Sequence, residues 1–455
     1  FNMEYENDVI IGISTAYAKA AISIIRLSGY GCIELVNKIF RGKNLNKVQS
    51  HTISYGHIVD LNNKNVIDEV LVSVFLSPKT YTKEDIVEIN CHGGIFVTNY
   101  IYEELIKLGA RPAEPGEFTK RAFLNGRIDL TKAEAVMDII NAENKNALKF
   151  ANQGINGKIY HLVKEYRDKL LDIIATISVN IDYPEYDDVE QLTNESIKPK
   201  IEHILSELNK LLNESIGAKY LKEGINTAII GKPNVGKSTL LNSLLNEEKA
   251  IVTNIPGTTR DVIEAKINIG NITLNLIDTA GIRKTDDIVE KIGVEKSQQM
   301  IDKADLIMLI LDNTTSLTED EIKLMEKIKE KPHLIVVNKC DENSLKNENL
   351  SNAIYISAQN KGDVYRLEDE ITKIVLKNID ISVDSIYLAN SRQIEKLRKA
   401  IQSLMEAMNG IKQKVYIDFI DIYLREAYNY LGEIYGETAT DSLLNELFSK
   451  FCLGK

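Results

Sequence analysis

The segment Gly231-Lys-Pro-Asn-Val-Gly236-Lys237-Ser238 constrains this chain more than any other. It is framed by an apolar strand candidate, Thr227–Ile230, and a helical stretch, Thr239–Leu245. The spacing GxxxxGK[ST] between strand and helix is the pattern of a phosphate-binding loop. Its glycines let successive backbone N–H groups curl around an anion, and the N-terminus of the next helix adds positive potential. Asn234, Val235, Gly236, Lys237, Ser238 and Thr239 are therefore the candidate cradle for a nucleoside triphosphate. Lys237 is expected to reach the β and γ phosphates, and Ser238 to bind Mg2+.

Three more loops follow apolar strands in the order such a domain requires. Asp278-Thr279-Ala280-Gly281 closes the strand Ile272–Ile277. A carboxylate there holds Mg2+ or its water, and the Gly281 N–H senses the γ-phosphate. Asn338-Lys339-Cys340-Asp341 follows Leu334–Val337. The Asp341 carboxylate accepts from the guanine ring N–H and amino group. Adenine offers neither donor and would leave it unpaired, at about 1–3 kcal/mol. Ser357-Ala358 fits a backbone contact to the guanine carbonyl. Between the first two loops lies Thr253–Asp261, where a threonine can complete the Mg2+ shell and switch between ordered and free states. Ile282 stands where many GTPases place a water-orienting Gln. Another group must then take that role, or hydrolysis is negligible. Asn234 could help hold a monovalent cation, and Glu290 could orient water, although an exposed helical Glu is ordinarily just solvated.

Around this βα array the hydrophobic period is helical. Leu162, Tyr166, Leu170, Ile173 and Ile177 form one stripe, Ile201 to Leu211 a second, and Ile394 to Met408 a third. Val136, Ile139 and Ile140 share another face. Residues before about 120 mix short apolar strands, Ala21–Leu27, Glu69–Leu76 and Asp85–Asn90, with glycine punctuation. The expected fold is multidomain, α+β with α/β. A mixed α/β domain spans 3–122, an all-α domain is built from two segments, 123–220 and 380–455, and a Ras-like P-loop domain, 221–379, is inserted between them. The 455 residues carry 55 basic and 66 acidic side chains, net −11. Such a chain is no general nucleic-acid coat, so RNA contact must be local or come through a partner. The four cysteines, Cys32, Cys91, Cys340 and Cys452, lack metal-ligand spacing, which fits a reducing cytoplasm. No run of about eighteen apolar residues suggests a membrane span, no signal peptide is expected, and Phe1-Asn2 before Met3 reads as an expression scar.

Gly257-Thr-Thr-Arg-Asp261, Asp278-Thr-Ala-Gly281 and the ending Phe451-Cys452-Leu453-Gly454-Lys455 resemble the MnmE (TrmE) family of bacterial tRNA modification GTPases, within the TrmE/Era-like GTPases. Ile25-Arg26-Leu27-Ser28-Gly29, His92-Gly93-Gly94 and Pro115-Gly116-Glu117-Phe118 extend the resemblance, which covers essentially the whole chain. It implies an N-terminal domain that binds a tetrahydrofolate one-carbon derivative and mediates homodimerisation. It also implies a partner, the flavoprotein MnmG (GidA), which holds the FAD. Together the two would install an aminomethyl or carboxymethylaminomethyl group on carbon 5 of the tRNA wobble uridine. GTP hydrolysis would depend on K+. By motif position, Asn234, Thr253, Ile255 and Thr258 would contact K+, Ser238 and Thr259 Mg2+, and Glu290 would be catalytic with Lys237. Arg26, Glu88, Arg127 and Lys455 would contact folate. Arg127 stands where the family often has Lys, and Cys91 opens what is usually Gly-His-Gly-Gly. For Cys452, a core thiol on the last helix and a part in the modification chemistry both stay open. Two other functions remain: a regulatory GTPase switch in ribosome or RNA assembly without one-carbon chemistry, and a GTP-dependent dimerisation scaffold without turnover.

Overall fold

In the computed structural model the alternating apolar strands of both α/β regions pair into two seven-stranded sheets. The structure describes residues 8–182, 189–244, 250–251, 265–270, 272–277, 300–342, 350, 352–377, 385–388, 390–452 and 454. Two compact units divide the chain. One lies within residues 1–137, 154–160 and 432–455, the other within 138–153 and 161–431.

In the first unit the strands are β1 (Ile10–Ile13), β2 (Ile22–Ser28), β3 (Phe40–Gly42), β4 (Thr52–Val59), β5 (Val66–Phe75), β6 (Ile86–His92) and β7 (Arg111–Pro112). Their order is β3-β4-β5-β6-β2-β1-β7, antiparallel except for β1 beside β7. Alternation sends Ile25, Leu27, Val70, Val72, Val87 and Ile89 to one face. There the helices Cys32–Asn37 and Ile95–Lys107 cover them with Val36, Ile101 and Leu105. Arg26 and Glu88 fall on the other face as cross-strand partners. A charge network joins the segment before β1 to the helix Glu117–Leu124. Arg121, only 3% exposed, pairs with Asp8, Glu84 and Glu117, and Arg111 pairs with Asp8 and Glu117. A second small core gathers Leu130 and Ala133 with Leu444, Phe448 and Phe451 from the end of the chain. Val136, Ile139 and Ile140 do lie on one helix, with Val136 and Ile139 half-buried, but its fully buried positions are others. The helix Leu130–Ile140 buries Leu130, Ala133 and Ala135, while Ile140, its last residue, is 43% exposed.

The second unit holds the long helices. Val189–Glu223 packs on Ser391–Lys412, and the sequence stripes carry the contact: Ile201, Ile204, Leu208 and Leu211 are buried, as are Ile394, Leu397, Ile401 and Leu404. The strands here are β8 (Ile225–Ile230), β9 (Ala250–Ile251), β10 (Ala265–Ile269), β11 (Ile272–Leu276), β12 (Leu306–Asp312), β13 (His333–Asn338) and β14 (Ala353–Tyr355), in the order β14-β13-β12-β8-β11-β10-β9. From β14 to β11 neighbours run parallel, and β10 pairs antiparallel with β11 and β9. β12 is buried along its whole length, as a central parallel strand should be. The carboxyl ends of β8, β12, β13 and β14 therefore share one edge. The strand order reverses beside β8, which is where open α/β sheets bind ligands.

Candidate functional site

The loop from Gly231 to Gly236 leaves that edge between β8 and the helix Lys237–Leu244. Two of its glycines are obligatory on geometry. Gly231 has φ +152°, and a Cβ there would strike the Ile310 carbonyl. Gly236 has φ +93°, and a Cβ there would strike the Asn338 amide nitrogen. Asn234 also lies in the left-handed region, at φ +62°, which Asn tolerates. Lys237 curls back so that Nζ donates to the carbonyls of Gly231 and Lys232, both at 2.6 Å. Val235 is buried, whereas Ser238 and Thr239 are exposed on the first turn of the helix.

The loops after β13 and β14 meet this cradle through one amide. Asn338 donates from Nδ2 to the Val235 carbonyl and accepts at Oδ1 from the Ala358 N–H, both at 2.9 Å. Ser357 N–H donates to Asp363, and Ser243 Oγ donates to the Ala358 carbonyl. Asp341 is exposed, three residues past the strand end. Lys339, at φ +64°, donates to Asp312 at 2.6 Å. Burial alone would raise the Asp312 pKa, but Lys339 and Thr314 outweigh it and hold the carboxyl below its ordinary range. Asn234, Val235, Gly236, Lys237, Ser238, Thr239, Asn338, Lys339, Asp341, Ser357 and Ala358 are thus on loops, helix starts or, for Asn338, the strand end at one sheet edge. Thr253, Ile255, Thr258, Thr259, Asp278, Thr279, Ala280, Gly281 and Glu290 lie outside the described residues, as does Lys455.

Among the described residues, no three His, Cys, Asp or Glu side chains cluster as a metal cage. The Ser238 hydroxyl and the Asn234 amide are oxygen donors beside a phosphate cradle, which suits hard cations that share their shell with phosphate.

The first unit has its own polar site. Arg26 forms an ion pair with Glu88 at 2.8 Å and lies 5.7 Å from the Phe118 ring and 6.0 Å from Tyr81. Arg127 stacks over the same Tyr81 ring at 4.8 Å. The end of the chain returns here. The Gly454 carbonyl accepts from Ser14 Oγ at 3.2 Å and from Arg26 at 3.5 Å. Gly12 leaves room for that approach, since its Cβ would stand 3.0 Å from Gly454 Cα. Arg26, Glu88 and Arg127 thus gather around Tyr81 and the chain end. Tyr81 is a member that sequence reading missed, because an aromatic in a loop carries no pattern of its own. Cys452 is exposed beyond the helix Asp441–Ser449, so it is not a core thiol. Cys91 is buried, and burial pushes its thiol pKa up, as it does for Cys32.

Models of two protein families match this chain. The MnmE helical domain covers residues 130–452, and the N-terminus of the GTP-binding protein TrmE covers residues 9–127. The tRNA modification GTPases MnmE of Streptococcus pyogenes serotype M4 and Streptococcus sanguinis are each 48% identical to it over 453 residues, 99% of either chain. The chain belongs to the MnmE family. A solved structure of Era from Aquifex aeolicus is 28% identical over 40% of this chain and 67% of its own, with a TM-score of 0.24. The N-terminal MnmE-family model spans Arg26, Glu88 and Arg127, and the helical-domain model spans the candidate phosphate loop. No described helix is long and apolar enough to cross a membrane.

Proposed function

We propose that this chain hydrolyses GTP in the service of tRNA modification. Specifically, it would act as a K+-dependent GTPase that works with the flavoprotein MnmG (GidA) to place an aminomethyl or carboxymethylaminomethyl group on carbon 5 of the tRNA wobble uridine. The observation that carries the reading is Asn338, whose one side chain ties the phosphate loop at Val235 to the base loop at Ala358. That tie holds the strand end that leads to Asp341 against the phosphate loop. Guanine would spend both its donors on Asp341, while Lys237 releases the loop carbonyls to meet the β and γ phosphates. Ser238 and Thr259 would hold Mg2+, and Asn234, Thr253, Ile255 and Thr258 would hold K+. Bound there, these ions supply positive charge where it develops on the transferring phosphoryl group. Glu290 would orient the attacking water, in place of the absent Gln at position 282.

In the first unit, Arg26, Glu88, Arg127 and Lys455 would bind a tetrahydrofolate one-carbon derivative, with Cys452 beside them. We assign the domains as 3–122, 123–220 with 380–455, and 221–379, in a cytoplasmic homodimer. The deciding experiment is mass spectrometry of wobble uridines in cells lacking this protein, paired with phosphate release in potassium against sodium buffer. Loss of the carbon-5 group and faster turnover in potassium are expected. Unchanged uridines would favour a switch in ribosome assembly instead.

A further inference from the structure

The stretch from Asp312, the last residue of β12, to Glu321, in the first turn of the helix Glu319–Lys327, contains none of the nucleotide motifs, yet it touches both halves of the nucleotide site. At its far end Glu321, 2% exposed, accepts on a single oxygen from three donors. These are the Thr318 N–H and Thr318 hydroxyl, both at 2.9 Å, and the Lys232 ammonium at 2.9 Å. The first of these, with the Glu321 N–H donating back to the Thr318 side chain, closes the N-terminus of the helix as a capping box. The third reaches into the phosphate loop, one residue past Gly231. At its near end Asp312, 8% exposed, accepts Thr314 on one oxygen and Lys339 of the base loop on the other. Burial alone would push the Glu321 pKa up, but Lys232 and Thr318 hold the carboxyl below its ordinary range. Both carboxylates are thus anionic and buried. A buried charge that loses its partner is costly, so each holds its lysine firmly.

We propose that Asp312 and Glu321 are positioning residues which brace the nucleotide site from one segment, Glu321 setting the phosphate loop through Lys232 and Asp312 setting the base loop through Lys339. The inference rests on the GTP reading above and adds a division of labour within it. Loosening the phosphate loop weakens every guanine-type triphosphate alike. Loosening the base loop weakens the recognition of guanine over a base that lacks the 2-amino group.

The test is fluorescence titration of the full chain with labelled GTP and ITP, for the unaltered protein and for Glu321→Gln, Lys232→Met and Asp312→Asn. Glu321→Gln is expected to bind both nucleotides about fivefold or more weakly with their ratio unchanged, and Lys232→Met to match it. The double variant should be no weaker than either single one, as expected for one coupled pair. Asp312→Asn is expected to narrow the preference for GTP over ITP. Should Glu321→Gln fold poorly, Lys232→Met decides the matter, because its side chain is 35% exposed and caps nothing. GTP held normally by both phosphate-loop variants, or a GTP:ITP ratio untouched by Asp312→Asn, overturns the proposal. Failure of the unaltered chain to bind GTP sinks the nucleotide reading itself, and the brace with it.

Discussion

At the scale of single residues, backbone sign and charge make the sharpest predictions. Gly236 sits at φ +93° with the Asn338 amide where a Cβ would go. Gly236→Ala therefore meets both backbone strain, about 1–3 kcal/mol, and displacement of the tie to Val235 and Ala358. GTP affinity should fall at least tenfold, with a lower melting temperature, and a titration at wild-type strength would show that the tie is dispensable. His92 gives a pH prediction. Its Nδ1 lies 2.7 Å from Asp68, and that hydrogen bond, with the Asp68 charge, raises the imidazole pKa above its ordinary value. A raised pKa means that the folded state binds the proton more tightly than the unfolded one. The pair's contribution is therefore complete below the ordinary histidine pKa and fades as pH rises through the raised one. Melting curves from pH 5.5 to about 8 should show a decline that His92→Gln removes, and NMR titration of the ring should place its midpoint above the unfolded value. A midpoint at or below it would refute the pairing.

At the scale of elements, the tail after Ser449 is the informative piece. Phe451 packs where Gly116, at φ +69°, leaves no room for a Cβ, and the Gly454 carbonyl meets Ser14 and Arg26. A chain ending at Phe451 keeps the aromatic anchor and loses those two polar contacts. On the folate reading proposed above, it should bind 5-formyltetrahydrofolate at least tenfold more weakly in calorimetry while holding GTP as before; equal folate affinity would remove the tail from the proposed site. Only the family resemblance put the chain end, at Lys455, in one pocket with Arg26 and Glu88; the residues by themselves could not, because the contact spans more than four hundred residues and leaves no local period. The nucleotide loops were legible for the opposite reason, since each motif sits within a few residues of the strand that aims it. The helical stripes of Ile201 to Leu211 and Ile394 to Leu404 were equally plain, since 3.6-residue periodicity is local. Asp312 and Lys232 escaped notice: a carboxylate at a strand end and a lysine in a loop are common, and only proximity reveals the partner. Glu321 had a visible signal in Thr318-x-x-Glu321, a capping-box spacing, which announces a helix start and not a reach to another loop.

At the scale of the whole molecule, the first unit is not built from N-terminal sequence alone. It closes over Leu444, Phe448 and Phe451, which reach it from the far end of the chain and cover Leu130, Ala133 and Phe123. Burying three such side chains contributes about 6 kcal/mol. That is comparable with the entire net stability of a domain, about 5–15 kcal/mol. In the second unit the described hydrogen bonds that tie the candidate nucleotide loops together run between residues 231 and 363, within its own sequence span. A chain ending after Leu431 should therefore split the two behaviours. Calorimetry should show the transition of the first unit shifted to much lower temperature or absent, and folate binding lost with it, while GTP is held within about threefold of the full chain, the scatter expected where no contact is removed. Retention of both transitions would mean that the sheet of the first unit is stable without its distal cover, and the core at Leu130 would then be an accessory rather than a keystone. Loss of GTP binding together with folate would mean that the nucleotide loops depend on the chain end, contrary to the closed set of contacts around Asn338.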